Sequence, residues 1–191
     1  MTTVLHQFND LRPFGGFDLI MADPPWRYEM RSEKGETRSP QAKYACMTID
    51  EIAALPVAAL AAPNCLLWLW SLNTMLPQAL AVIEAWGFEY KTSGHWVKTT
   101  VNGKLNMGMG YILRGAGEPF LIGTRGAPKT TSSTRSVIMG QIREHSRKPE
   151  EAFAEAEKLM PDARRIEVFS RQRRAGWSNW GHESEKFEEA S

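Results

Sequence analysis

Residues 23–26, Asp23-Pro24-Pro25-Trp26, end an apolar run that begins at Phe17 and reads as a buried strand. Proline lacks a backbone donor and fixes its φ angle, so two in succession stop a strand. The same four residues also suit a particular chemistry. An exocyclic amine on adenine is a poor nucleophile, because its lone pair is delocalised into the ring. Acceptors on both of its N–H bonds favour the pyramidal, nucleophilic form. The Asp23 carboxylate supplies one acceptor and the Pro24 carbonyl the second, while Pro25 stiffens the turn so that both are preorganised. Trp26 adds a flat face on which an extracted base can stack, worth about 1–3 kcal/mol per base.

These residues need a scaffold, and the chain reads as alternating strands and helices. Short apolar runs at 17–23, 65–71, 92–98, 119–125 and 165–170 predict buried strands. A helix is predicted after Thr48, with Glu51 at the spacing of a capping box. A second follows Asn73, with Pro77 in its first turn and Gly87 as C-terminal cap. A third starts at Pro149, followed by acids. This order predicts an α/β fold with a mostly parallel sheet and helices on both faces. Residues 27–45, 99–117 and 125–147 read as long loops, each following a predicted strand. Ligands of open α/β sheets bind outside the carboxyl ends of strands, where Asp23 sits.

A length of 191 residues fits one domain, residues 1–191, with an acidic tail over 184–191. No stretch is apolar enough to span a membrane, and the first ten residues lack the features of a signal peptide. Cys46 and Cys65 have no metal-ligand spacing, which suggests a reduced, cytoplasmic protein without a metal. The net charge of +1 is unevenly spread: Arg125, Lys129, Arg135, Arg143, Arg147 and Lys148 face the single acid Glu144. Such a stretch suits a polyanion, with Lys129 and Arg135 as phosphate contacts, and equally suits a solvated loop.

"ADPPW" resembles motif IV of amino-group methyltransferases that use S-adenosylmethionine, and its Trp variant resembles the MTA-seventy-like family of N6-adenine methyltransferases. Further blocks match that family in order: "KYACMTIDEI", "LWLW", "WGFEYKTSGHWVK", "GMGYILRGAGEPFLIGTRG", "REHSRKPEE" and "RIEVFSRQRRAGWSNWGHE". Together they cover about residues 17–183. The resemblance implies a single-domain, permuted Rossmann-like fold, with the catalytic strand first and the cofactor strand near the C-terminus. It implies that Lys148 contacts the methionine end of S-adenosylmethionine. Lys148 precedes the Pro149 helix, where the helix's positive end disfavours a lone cation but joins a lysine in holding an anion. The resemblance further implies that Glu167 accepts from the cofactor ribose with help from Arg171, and that Asp23, Phe169, His182 and Glu183 complete the cofactor site. The family commonly reads Gly-Asn-Glu where this chain has Gly181-His182-Glu183, and histidine offers its donor and acceptor in different geometry. Tyr44 matches a gate-loop tyrosine and Glu118 an acid near the substrate pocket.

The expected activity is methylation of adenine N6 in nucleic acid, with DNA favoured over RNA because compact chains of this type resemble bacterial or phage members. A noncatalytic nucleic-acid-binding subunit of the same fold is the rival reading. A small-molecule amine methyltransferase is a third. A homodimer, or a heterodimer with a related subunit, is the expected assembly.

Overall fold

A computed structural model describes residues 2–27, 46–110, 112–144 and 147–181. Seven strands form one sheet: β1 (Phe17–Ala22), β2 (Ala61–Trp70), β3 (Glu89–Thr99), β4 (Gly117–Arg125), β5 (Val137–Gln141), β6 (Arg165–Val168) and β7 (Trp177–Trp180), ordered β5-β3-β4-β2-β1-β6-β7. Among the described strands only β4 runs antiparallel to its neighbours. The architecture is the expected α/β, Rossmann-like one. The Asp23 strand β1 lies between β2 and β6, the latter being the strand expected to carry the cofactor residues.

Alternation along β1 explains the two faces. Ile20 and Ala22 point into a core with Phe8, Ile52, Val82, Ile83 and Trp86. These come from α1 (Thr2–Leu11), α2 (Ile49–Ala53) and α3 (Leu76–Ala85) or the residue after it. Leu19 and Met21 point the other way, onto Phe153 and Ala156 of α4 (Glu150–Leu159) and the tryptophans Trp68, Trp70, Trp96 and Trp177. The predicted capping box is present at α2: Glu51 N donates to Thr48 Oγ1 at 3.2 Å, and Thr48 N donates to Glu51 Oε2 at 2.8 Å. Gly16 enters β1 with φ +84° and lies against the backbone of Ala61 and Ala62, where a Cβ has no room. That close approach seats β1 beside β2.

Three elements differ from the expectation. The segment 125–147 is no continuous loop, because it contains β5. Only Ile138 and Gly140 of β5 are buried while Val137 and Met139 face out, so this edge strand lacks a continuous apolar signal. β7 and α1 are likewise additional. No helix among the described residues is long and apolar enough to cross a membrane.

Candidate active site

The turn after β1 is pinned from three sides. Asp23 N donates to Val168 O at 3.3 Å, tying the ends of β1 and β6. Trp26 N donates to Pro24 O at 2.8 Å, and Met47 N donates to Pro25 O at 2.9 Å. A carbonyl has two lone pairs, so Pro24 keeps one for another donor. Trp26 is only 5% exposed, and its Nε1 donates to Trp70 O at 3.1 Å. This corrects the expected stacking role. The indole is consumed as a bolt between the turn and the end of β2, with no free face for a base.

Asp23 ends a row of alternating charges. Lys98 Nζ lies 2.5 Å from Glu118 Oε1, Glu118 Oε2 lies 3.3 Å from Lys148 Nζ, and Lys148 Nζ lies 2.6 Å from Asp23 Oδ2. The Lys148 side chain is 9% exposed and those of Asp23 and Glu118 are 19% exposed. Burial pushes the Glu118 carboxyl up, yet Lys148 and Lys98 outweigh it and hold the carboxyl down to about 2. Burial works against the Lys148 ammonium too, but Asp23 and Glu118 raise its pKa above the usual lysine value. The ammonium also faces the Trp70 ring, 5.5 Å from its centroid. Oδ1 of Asp23 carries no hydrogen bond among the described residues. A cofactor carboxylate is the anion expected for Lys148, and two protein carboxylates already use two of its three donors, leaving the third.

The wall beside this row comes from β6 and the turn after it. Glu167 interrupts β6, and burial pushes its carboxyl up to about 7 against the charges of Arg174 and Lys148 and the hydroxyl of Ser170. Ser170 Oγ lies 3.2 Å from Glu167 Oε2 but 2.6 Å from Gln172 O, and it has one proton to give. Glu167 is therefore a half-buried acceptor with lone pairs to spare. Phe169, two residues on, is the sole non-glycine with positive φ (67°) among the described residues, and strain of this kind gathers at functional sites. Its ring meets Trp180 edge-on at 5.6 Å.

The fold thus brings Asp23, Pro24, Pro25, Glu118, Lys148, Glu167 and Phe169 to the carboxyl end of the central strands. Arg171 is half-buried after Ser170, where its charge bears on the Cys46 thiol, which burial nevertheless pushes up. Lys129 and Arg135 are not brought to this end. Arg135 precedes β5 and lines a cavity of about 580 Å³ with Trp68, Phe120, Ile122 and Thr124. Both cations are exposed. β5 carries the chain about 20 Å between Arg135 and the site at about 3.3 Å per residue. Tyr44, His182 and Glu183 lie outside the described residues.

Sequence reasoning missed Lys98 as the outer end of the charge row, since its partner Glu118 is on the neighbouring strand. It also missed Arg174, whose charge bears on Glu167. Among the described residues no cluster of three or more His, Cys, Asp or Glu could hold a metal.

A family model described as MT-A70 matches residues 17–183. An N(6)-adenosine-methyltransferase MT-A70-like protein of Arabidopsis thaliana is 32% identical over 184 residues, covering 91% of this chain but 25% of the plant protein. The type II methyltransferase M.MunI of a Mycoplasma species is 28% identical over 184 residues, or 87% of this chain and 77% of that protein. The N6-methyladenosine RNA methyltransferase MTA1 of Cryphonectria parasitica is 31% identical over 180 residues, or 91% of this chain and 53% of the fungal protein. This chain thus spans about a quarter of the plant relative's length. With the match running from the first residue of β1 to beyond β7, the chain belongs to the MT-A70 family.

Proposed function

We propose that this chain, as a single methyltransferase domain, methylates the N6 amine of adenine in nucleic acid, DNA favoured, with S-adenosylmethionine as donor. The observation that carries the reading is Asp23: Lys148 fixes its Oδ2 at 2.6 Å, and Oδ1 remains to accept a hydrogen bond. Oδ1 and the spare lone pair of the Pro24 carbonyl take the two N–H bonds of the amine and expose its nitrogen lone pair. The rigidity of the Pro24-Pro25 turn places both acceptors before the substrate arrives. Glu118 and Lys98 act one step back, holding Lys148 in line. The adenine enters single-stranded or taken out of its stack.

The residues present fit the cofactor. Glu167 is a half-buried carboxylate short of donors, and the vicinal hydroxyls of a ribose are two donors. The third N–H of Lys148 suits the amino-acid carboxylate. When bound, S-adenosylmethionine supplies an electrophilic methyl group on a sulfonium. Phe169 and Arg171 lie on the same wall, and His182 and Glu183 complete it in this reading. Tyr44 closes over the base, and Trp26 serves by holding the turn. Lys129 and Arg135 serve as remote phosphate contacts.

DNA is favoured because a relative matched over 77% of its length is named a type II methyltransferase. RNA is the second reading, since another relative is named an RNA methyltransferase. A noncatalytic subunit would have no use for the intact row from Lys98 to Asp23. Exposed apolar side chains on edge strand β5 (Val137, Met139) and on the segment before β4 (Met107, Ile112, Leu113) support pairing with a second copy or a related subunit. The buried thiol of Cys65 fits a reducing, cytoplasmic setting.

The test is mass spectrometry of nucleosides after incubating the chain with methyl-labelled cofactor and DNA or RNA oligonucleotides. Labelled N6-methyladenine in DNA is expected. Label in RNA alone moves the reading to RNA, and label in neither polymer overturns it.

A further inference from the structure

Three side chains meet the indole of Trp180, the last residue of β7. Trp180 Nε1 donates to Gln7 Oε1 of α1 at 3.0 Å. The Phe8 ring of α1 meets the indole edge-on, with centroids 5.0 Å apart and planes at 84°. The Phe169 ring meets it from the cofactor wall at 5.6 Å and 70°. Both are favoured geometries for aromatic pairs. Phe8 is buried, Trp180 and Phe169 are half-buried, and Gln7 is exposed. An unbroken line of contacts thus joins α1 to the turn after β6.

That turn needs holding. Phe169 has φ 67°, a conformation that side chains other than glycine adopt only where the surroundings impose it. Trp180 and its neighbour supply much of the constraint. Val168 pairs with Trp180 in the β6–β7 register, and Ser170 N donates to Trp180 O at 2.9 Å. Gly181 lies against the backbone of Phe169 and Ser170, where a Cβ has no room. On its other side the turn is tied to Asp23, whose N donates to Val168 O at 3.3 Å. α1 itself is lightly anchored, because of residues 3–11 only Phe8 is buried. Elements with so little burial open locally well before the whole fold does.

We propose that α1 is a positioning element of the cofactor wall: Gln7 and Phe8 hold the Trp180 indole, Trp180 holds Phe169 in its left-handed turn, and a nucleoside bound against Phe169 tightens the docking of α1. The proposal rests on the cofactor reading through Phe169 alone. Gln7 and Phe8 act on the ligand through Trp180 and Phe169. Because coupling between two events is reciprocal, whatever α1 contributes to binding returns as protection of α1 by the ligand.

The test uses the full chain and S-adenosylhomocysteine, with affinity read by calorimetry, folding by thermal melting and α1 docking by hydrogen exchange. In the wild type, saturating ligand slows exchange of the α1 amides about threefold or more, the reciprocal of its effect on affinity. Gln7→Ala, a change at an exposed position, leaves the melting transition in place but weakens binding about three- to tenfold, the scale of one neutral hydrogen bond. Adding Gln7→Ala to Trp180→Phe, which keeps a ring but has no N–H to give, costs no further affinity. In Phe169→Ala the ligand no longer slows exchange of α1.

A merely structural α1 gives the opposite pattern: exchange of its amides unmoved by ligand, and Gln7→Ala with wild-type affinity. Either result overturns the inference. Additive losses in the double variant also overturn it, by making Gln7 itself a ligand contact, and so does full protection of α1 in Phe169→Ala. A wild-type chain that does not bind S-adenosylhomocysteine overturns the cofactor reading and this inference together, whereas binding without protection of α1 overturns this inference alone.

Discussion

The two halves of the candidate site handle buried charge in opposite ways. At the end of β1, Lys98, Glu118, Lys148 and Asp23 alternate in sign and each touches the next, from 2.5 to 3.3 Å. At the end of β6, Glu167 sits half-buried with one weak donor and a carboxyl that desolvation pushes up to about 7. The first arrangement is satisfied without any ligand, so its geometry is set in advance. The second is unsatisfied until donors arrive, so the protein carries it as a local cost. Catalytic orientation is built into the fold on one side, and ligand demand on the other.

The sharpest way to break the first half is to remove its last member. Asp23→Ala should lower the rate of methyl transfer by about a thousandfold, while cofactor affinity falls far less. Asp23→Asn should be nearly as severe, because an amide can turn its donor side to the amine. Single-turnover assays with labelled cofactor give the rate, and near wild-type turnover by either variant removes Asp23 from the mechanism.

Lys148→Ala attacks the same half from its centre and should lose both activity and stability. From sequence, little effect on folding is expected, since the partner is an external anion. With Asp23 left as a partly buried carboxylate without its cation and Glu118 with Lys98 alone, the cost should instead be about 3–5 kcal/mol in denaturant unfolding. Unfolding curves that coincide with wild type would mean the row contributes no net stability. The pH sign follows from Glu118. Its folded pKa of about 2 lies below the usual 4.5, so its contribution is fully present above pH 4.5 and is lost only as pH falls toward 2.

The other half should respond with the reverse sign. The folded Glu167 carboxyl titrates at about 7 instead of 4.5, so the folded state binds the extra proton between those values. Stability from this group is therefore present below pH 4.5, falls as pH rises to about 7, and then stays flat. Glu167→Gln should stabilise the ligand-free chain at pH 8 by up to about 3 kcal/mol, since 1 pKa unit corresponds to about 1.4 kcal/mol. The same substitution should weaken cofactor binding, and wild-type affinity should rise with pH up to about 7 as Glu167 ionises. Melting at about pH 5 and pH 8 with and without S-adenosylhomocysteine reads both effects. A Glu167→Gln chain less stable than wild type at the higher pH would show that the carboxylate already has its partners.

What was legible in sequence follows the reach of each signal. Strand β1 and its abrupt stop at Asp23 announce themselves within a few residues, and so does the Thr48–Glu51 capping box. The charge row does not, because Lys98 and Glu118 are 20 residues apart and Asp23 and Lys148 are 125 apart. Only the sheet order brings them together. Trp26 shows the limit from another side: an exposed stacking platform and a buried bolt have the same residue type, and the carbonyl of Trp70 decides between them. Glu150 reads locally as an acid at a helix start, which it is, but its link to Arg174 spans 24 residues. Strand β5 was hidden by its edge position, since it buries only alternate small or apolar residues.

The smallest effect is expected farthest from both halves. Arg135 lies before β5, separated from the site by the length of that strand, and Lys129 is six residues further back along the chain. His95 pairs with Val137 and Thr99 with Gln141, so Arg135 sits six residues before the carboxyl end of that strand, or about 20 Å at 3.3 Å per residue. An adenine at Asp23 in a very short oligonucleotide cannot reach them, whereas a longer polymer can. Neutralising both residues should therefore leave turnover and short-oligonucleotide binding unchanged. On a long duplex it should weaken binding for all sequences alike and reduce the salt slope by about 1–2, one for each phosphate that no longer meets a cation. Equal weakening on short and long substrates would put these cations near the target base and contradict the register of β3 with β5. Unchanged binding on either would leave the basic stretch as a solvated surface, and the polymer would then be positioned from the Asp23 end alone.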